Sequence, residues 1–186
     1  MGPIRTKLQQ ETRAAHEALH THPLLARLLA ADVTQAEYAG CLRVQYGFFS
    51  AIEAARGESR PDLGASGAVE ALSADLRDVD AQADVGALGL PRSPSALLGA
   101  LYVAHGSQFG GQVIGAALAR SLPSLQHRFF SRGTDAALWR RLLSALEALG
   151  PSAEHITPAV SGAAAAFDLV ARLADREAEA LTPVSA

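Results

Sequence analysis

The stretch Leu101-Tyr-Val-Ala-His-Gly-Ser-Gln-Phe-Gly-Gly-Gln-Val-Ile-Gly115 carries the most information about the fold. It lies in a chain rich in alanine, the best helix former, yet it holds four glycines within ten positions: Gly106, Gly110, Gly111 and Gly115. Each glycine inside a helix costs roughly 1 kcal/mol relative to alanine, so these glycines need a reason. They permit either a bend with close approach of the backbone to a flat ligand, or close packing of two helices. Spacing alone favours the two explanations equally.

The composition around this stretch predicts an all-α protein. Of 186 residues, 39 are alanine and 26 are leucine, while only 5% are aromatic. Alanine and leucine are strong helix formers, and the scarcity of aromatic and β-branched residues disfavours sheets. The length suits one globular domain. We therefore predict a single all-α domain over residues 1–186, with flexible tails at 1–3 and 182–186.

Charge and cysteine content exclude several classes of partner and compartment. The net charge is -3, Lys7 is the only lysine, and no Lys/Arg run occurs, so neither a nucleic-acid nor a membrane-surface partner is expected. The single Cys41 cannot form an internal disulfide, which favours a reducing compartment. The N-terminal residues lack the apolar core of a signal peptide, and no apolar run approaches the ~20 residues of a membrane span. We expect a cytoplasmic protein.

Apolar periodicity and capping residues predict the positions of the helices. Thr34 followed by Glu37 is a capping box that starts a helix reaching about Arg56. The other predicted helices cover residues 4–20, 68–84, 95–121 with Ser95 as its cap, 135–149 and 157–180.

His16 lies at the margin of the apolar face of the first predicted helix. A neutral imidazole there can bind a metal through one ring nitrogen, although a hydrogen-bonded, partly buried histidine explains the residue as well. His20 lies one helical turn later. The two could bind a metal ion together, but further acidic or histidine ligands are not evident nearby, which favours a solvated pair.

Five groups of residues, taken in order, resemble the heme oxygenase family, in its bacterial biliverdin-producing branch. The resemblance covers about residues 5–175. Its parts are Leu8, Thr12 and His16; Thr34, Tyr38, Tyr46 and Glu53; Leu101 to Gly111; Phe129, Phe130, Gly133, Trp139 and Arg140; and Ala166 with Phe167. No single part is specific to the family, but all five together, in the family's order and in an all-helical composition, are fairly specific.

The resemblance implies a single-domain helical bundle with heme held between the first helix and a glycine-kinked distal helix. Heme is then both substrate and cofactor, and it is cleaved with O2 and electrons to biliverdin, CO and ferrous iron. The sequence shows no flavin or nicotinamide motif and so does not name the electron donor, but the resemblance implies an external reductase or ferredoxin. The biliverdin would serve a bacteriophytochrome, or the reaction would serve iron release.

The resemblance also assigns the site residues. His16 is the iron ligand, and the catalytic distal wall consists of Gly106, Ser107, Gly110 and Gly111. The residues that contact heme are His16, Thr12, Phe49, Arg140 and Phe167. Arg140 would bind a propionate, since a guanidinium suits a carboxylate, although a solvated surface arginine is an equally good explanation. Phe49 and Phe167 are also explained as ordinary core residues.

Two residues depart from the family pattern. His105 stands where bacterial relatives commonly have Glu, so it could alter the distal polar network, compete for iron or point away from heme. Arg132 replaces an aromatic residue, which leaves the orientation of heme, and hence the meso carbon that is attacked, open. Two other functions therefore stay open: a heme carrier or sensor, and a heme-free member of the fold that uses a metal at His16 and His20 or binds a partner.

Overall fold

The computed structural model describes residues 2–83 and 89–182, which form helices and short 3₁₀ turns and contain no strand. The helices are α1 (Pro3–His20), α2 (Pro23–Ala26), α3 (Gln35–Arg56), α4 (Ser66–Asp78), α5 (Pro94–Ser107), α6 (Gly111–Ser121), α7 (Arg128–Ser131), α8 (Ala136–Glu147) and α9 (Ala153–Leu181). The all-α prediction is confirmed. Of the predicted tails, Pro3 already belongs to α1, whereas Met1 and residues 183–186 lie outside the described residues.

The central helix α3 begins as its capping box predicts. The Thr34 hydroxyl accepts a hydrogen bond from the Glu37 N–H at 3.2 Å, and the Glu37 carboxylate accepts one from the Thr34 N–H at 2.8 Å. The reciprocal pair satisfies two N–H groups that a helix start otherwise leaves free. Much of α3 is buried, including Tyr38 and Phe49, so this helix forms the middle of the core.

Helices α5 and α9 cross at the distance of backbone contact. A Cβ atom at Gly99 would overlap the carbonyl oxygen of Ala159, and one at Gly162 would overlap the carbonyl oxygen of Ala96. Glycine is therefore required on both sides of the crossing, where small residues let two helices approach. The crossing fixes α5, and hence the segment that follows it, against the longest helix of the described chain.

The glycine-rich segment divides the single helix predicted over residues 95–121 into two, so that prediction is wrong. Helix α5 ends at Ser107, a 3₁₀ turn covers Gln108–Gly110, and α6 starts at Gly111. A Cβ at Gly111 or Gly115 would come within 3.1 or 3.2 Å of the Phe130 carbonyl oxygen, so these two glycines let α6 pack on the backbone of α7. The predicted cap at Ser95 is wrong by two residues, because Ser93 precedes the Pro94 that opens α5.

Asp75 holds α7 in place. Its carboxylate is buried and accepts hydrogen bonds from the Arg128 and Phe129 N–H groups at 3.0 and 2.9 Å, and from the Arg128 guanidinium at 3.2 Å. The preceding His127 adopts a left-handed conformation, with φ of 51°. One carboxylate of α4 thus orients the Phe130 backbone on which α6 rests.

Two predicted helix ends are wrong. Helix α4 ends at Asp78 instead of residue 84, because Asp80 turns into the left-handed region with φ of 51° and the Ala81 N–H bonds back to Leu76. Residue 84 itself lies outside the described residues. Helix α9 begins at Ala153 rather than 157, and it accommodates Pro158 inside the helix instead of at its start.

By length and composition alone, α9 is apolar enough to cross a membrane, contrary to the expectation that no segment reaches that length. Its apolar character has a reason inside the fold, since 44% of its most apolar 18-residue window is buried. Buried positions such as Ala163, Ala166 and Leu173 belong to the core. The core helix of a globular protein meets the same criteria.

We predict that Gly99→Ala lowers the free energy of unfolding by at least about 2 kcal/mol, because the new methyl group meets backbone that cannot move aside. Gly110→Ala is the matched control: position 110 has a helical φ of -75°, and in the described part of the chain no atom would lie within 4 Å of its Cβ. That variant should be unchanged or up to about 1 kcal/mol more stable. Urea unfolding of the heme-free proteins measures both, and equal stabilities would contradict the crossing.

Candidate functional site

A cavity of about 1240 Å³ lies between α1 on one side and the bend from α5 to α6 on the other. It exceeds the roughly 300–1000 Å³ of most small-molecule sites. Helices α3, α7 and α9 supply apolar walls, which include Phe48, Phe129, Phe130, Phe167 and Val170. The space suits a large, flat, apolar ligand.

His16 projects from α1 into this cavity, and its side chain is exposed there. Its Nε2 lies 3.3 Å from the Nε2 of His20, and the Phe167 ring stands edge-on at a centroid distance of 6.2 Å. Partial burial, and then the neighbouring His20, lower the pKa of His16 below its ordinary value. The imidazole is therefore neutral near pH 7 and keeps a lone pair for a metal.

The opposite wall of the cavity contains the glycines of the bend. At Gly110, a Cβ would have no atom within 4 Å among the described residues, so the position borders open space. At Gly106, a Cβ would make ordinary contact with the Trp139 ring at 3.7 Å. Gly106, Gly110 and Gly111 all line the cavity, whereas Gly115 does not. Gly111 also serves helix packing, as Gly115 does, because both lie against the Phe130 carbonyl.

Two hydroxyl groups of the predicted site also line the cavity. The Ser107 hydroxyl donates to the Ala104 carbonyl at 2.9 Å, and the buried Thr12 hydroxyl donates to the Leu8 carbonyl at 2.7 Å. In each case the proton is used within the helix, so only the lone pairs of the oxygen remain for a ligand or a water. Thr12 lies beside His16 on α1, and Ser107 lies on the opposite wall.

Two of the predicted heme contacts do not reach the cavity. Phe49 is fully buried behind the wall, with its ring 5.3 Å from those of Phe48 and Phe129, and Phe48 takes the lining position instead. Arg140 is exposed on α8, whereas its neighbour Trp139 lines the cavity. Neighbouring side chains on a helix point about 100° apart. Phe48 and Trp139 therefore reach the cavity, whereas Phe49 and Arg140 do not.

Two arginines that the sequence analysis overlooked line the cavity. The Nε of Arg5 is buried and has no hydrogen-bond partner among the described residues, and Arg13 pairs with Glu17 at 2.8 Å. A buried guanidinium nitrogen without a partner indicates a place for an anionic group. The signal was present in the sequence, because Arg5 lies eleven residues, or about three helical turns, before His16 and so shares its face.

His105 points away from the cavity. Its buried ring donates from Nε2 to the Leu63 carbonyl at 3.1 Å, and its Nδ1 lies 3.4 Å from the Gln108 side-chain nitrogen. We assign the proton to Nε2 because a carbonyl only accepts. Burial lowers the pKa of His105. His105 and Arg132 line a second, smaller cavity of about 310 Å³, so both departures from the family pattern lie on the far side of the bend.

We predict that His105 contributes to the pH dependence of stability. Its folded-state pKa lies below the unfolded value of 6.5, so the unfolded chain binds the proton more readily and stability is lost as the pH falls through that value. From about pH 7.5 to about pH 5.5 the free energy of unfolding should fall less in His105→Gln, whose amide can still donate to Leu63, than in the unchanged protein. Equal falls in urea titrations would contradict this assignment.

Comparison with known proteins agrees with the predicted resemblance. Residues 3–71, which contain α1 to α3, match the family model described as heme oxygenase. A protein named heme oxygenase from Xanthomonas campestris pv. campestris (strain 8004) is 38% identical over 102 residues, which is 53% of this chain and 62% of that protein. The match thus spans about three fifths of the length of the curated relative.

Three solved structures share the fold over nearly the whole chain. The heme oxygenase of Neisseria meningitidis, solved with NO and CO bound, has a TM-score of 0.74 at 21% identity and covers 94% of this chain and 91% of its own. Heme oxygenase-1 of the cyanobacterium Synechocystis in complex with heme gives 0.72 at 16% identity, covering 96% and 95%. The Leptospira interrogans enzyme gives 0.73 at 18%, covering 95% and 100%. The predicted resemblance to the heme oxygenase family and the predicted all-helical fold are confirmed.

Proposed function

We propose that this chain, which resembles the heme oxygenases over residues 3–71 and shares their fold, is a heme oxygenase that cleaves heme with O2 and electrons to biliverdin, CO and ferrous iron. One observation carries the proposal. A neutral histidine, His16, faces the glycine-rich bend, at Gly106 and Gly110, across a large apolar cavity. That arrangement suits a planar macrocycle whose iron His16 would hold.

The residues present suit heme. The walls of Phe48, Phe129 and Phe167 match the apolar macrocycle, and the orphaned Nε of Arg5 suits a propionate carboxylate. Bound heme would supply the iron that activates O2 and the ring that is oxidised. Within this proposal the heme contacts assigned to Thr12 and Phe167 stay, whereas Arg5 takes the role first assigned to Arg140.

On the α1 side, His16 would hold the iron. The neutral imidazole offers a lone pair without adding charge, and the Phe167 ring stands perpendicular to it. Thr12, one turn earlier, keeps its proton on Leu8 and so presents an uncharged surface beside the ligand. Helix α1 would thus supply one iron ligand and leave O2 binding to the side of the bend.

On the other side, the bend gives O2 room and controls water. Gly106 and Gly110 would present backbone, rather than side chains, to a heme held by His16. The Ser107 oxygen, whose proton is held by Ala104, can accept a hydrogen bond from one water and so position it as a proton source. Phe109 and Val113 line the same cavity as exposed apolar side chains, 54% and 66% accessible, and they exclude bulk water once heme covers them.

Electrons and biliverdin connect the enzyme to partners. We propose an external reductase or ferredoxin as electron donor and a cytoplasmic location, and we propose that the biliverdin supplies a bacteriophytochrome or that the reaction releases iron. The alternative of a carrier or sensor depended on His105 disturbing the distal side. Since His105 bonds to Leu63 outside the cavity, that alternative loses its basis.

The hemin titration tests the iron ligand. The unchanged protein should give a sharp heme absorbance band and, with ascorbate and O2, biliverdin, whereas His16→Ala should lose the native ligand spectrum because the axial nitrogen is gone. His20→Ala is the matched control on the same helix face and should keep that spectrum. A native spectrum in His16→Ala would contradict the ligand assignment, and absence of biliverdin from the unchanged protein would contradict the proposed activity.

A second prediction concerns the propionates. Arg5→Gln should weaken hemin binding about tenfold or more, since a charge-assisted hydrogen bond is worth about 1.5–3 kcal/mol. The same variant should bind the dimethyl ester of heme as well as the unchanged protein does, because that ligand lacks the carboxylates. Arg140→Gln, on the exposed face of α8, should leave hemin affinity unchanged. Weakening by Arg140→Gln and not by Arg5→Gln would reverse the assignment.

A further inference from the structure

His16 and His20 form a pair that the proposed heme chemistry does not fully use. Both side chains line the cavity and are exposed to it, one helical turn apart on α1. Their Nε2 atoms lie 3.3 Å apart, and their ring centroids are 4.5 Å apart at an interplanar angle of 74°. An ion entering the cavity therefore reaches both nitrogens.

The separation of the two nitrogens matches a shared tetrahedral ion. Zinc binds histidine nitrogen at about 2.0–2.1 Å with tetrahedral angles, which places two such nitrogens about 3.3–3.4 Å apart. The segment reads His16-Glu17-Ala-Leu-His20, and two histidines four residues apart on one helix face are a recurring zinc pair. The same 3.3 Å also allows a hydrogen bond between the two rings, which a bound metal ion would replace.

The pair is an open site rather than a structural one. Within residues 2–83 and 89–182 no cluster of three or more metal-ligating side chains occurs, so water must complete the coordination. Glu17, the middle carboxylate of the motif, is bound by the Arg13 guanidinium at 2.8 Å and stands exposed on another face. The site therefore lacks the general base of a metalloprotease, and an exchangeable ion is expected.

We propose that His16 and His20 of the heme-free protein bind one divalent transition-metal ion of the zinc class, and that this ion and heme exclude each other. The ion needs the Nε2 lone pairs of both rings, so the ring that donates their mutual hydrogen bond moves its proton to Nδ1. The exclusion rests on the proposed function, which assigns the same Nε2 of His16 to heme iron. The metal ion would then be a competitive inhibitor of heme binding.

Calorimetric titration of the heme-free full chain with Zn²⁺ tests the site. The unchanged protein should bind one equivalent, and His16→Ala and His20→Ala should each bind at least tenfold more weakly, since one ligand is removed. His155→Ala, a half-buried histidine on α9 outside the cavity, should bind as the unchanged protein does. Absence of binding, or equal binding by all four proteins, would overturn the site.

Competition separates this inference from the proposed function. Rising Zn²⁺ should weaken hemin binding to the unchanged protein. His20→Ala keeps His16 but binds Zn²⁺ at least tenfold more weakly, so it should need at least tenfold more Zn²⁺ for the same effect. Simultaneous binding of hemin and Zn²⁺ would overturn the exclusion. If the unchanged protein binds Zn²⁺ through both histidines but does not bind hemin, the proposed function fails while the metal site stands; if it binds hemin but not Zn²⁺, the reverse holds.

Discussion

The crossing of α5 and α9 sets the geometry of the whole cavity. Gly99 and Gly162 bring the two helix backbones into direct contact, so neither helix can shift without losing that contact. Because α5 leads into the bend and α9 carries Phe167, one crossing positions both the distal wall and the ring that stands against His16. Close-packed interiors transmit such a constraint, since they deform little.

A second constraint fixes the far end of the bend. Asp75 binds the first N–H groups of α7, which presents the Phe130 carbonyl to Gly111 and Gly115 of α6. The bend is thus held between two backbone contacts, one on each side. Between these two contacts lie Gly106 and Gly110. Glycine there lowers helix stability relative to alanine, but it leaves the cavity wall without a Cβ atom at either position. On the side of the bend that faces away from the cavity, the His105 ring donates a hydrogen bond to the Leu63 carbonyl.

Local signals in the sequence were enough for most of the helix boundaries and for the placement of His16 on the cavity side of α1, and they were not enough for contacts made across the fold. The capping box at Thr34 and the position of His16 depend on residues within one turn, so they were predictable. Gly99 and Gly162 lie far apart in the chain, and each looks like an ordinary small residue until the helices cross. Arg140 and Phe49 were assigned by resemblance, but one step along a helix turns them away from the cavity, whereas the helical spacing of Arg5 from His16 could have been noticed.

The proposed function places heme between His16 and the glycine-rich bend. A crystal structure of the protein with hemin tests this placement most directly. We expect iron bound to the Nε2 of His16, backbone of residues 106–110 facing the opposite side of the ring, and a propionate at Arg5. Iron bound by another side chain, or a ring lying outside the cavity between α1 and the bend, would contradict this placement.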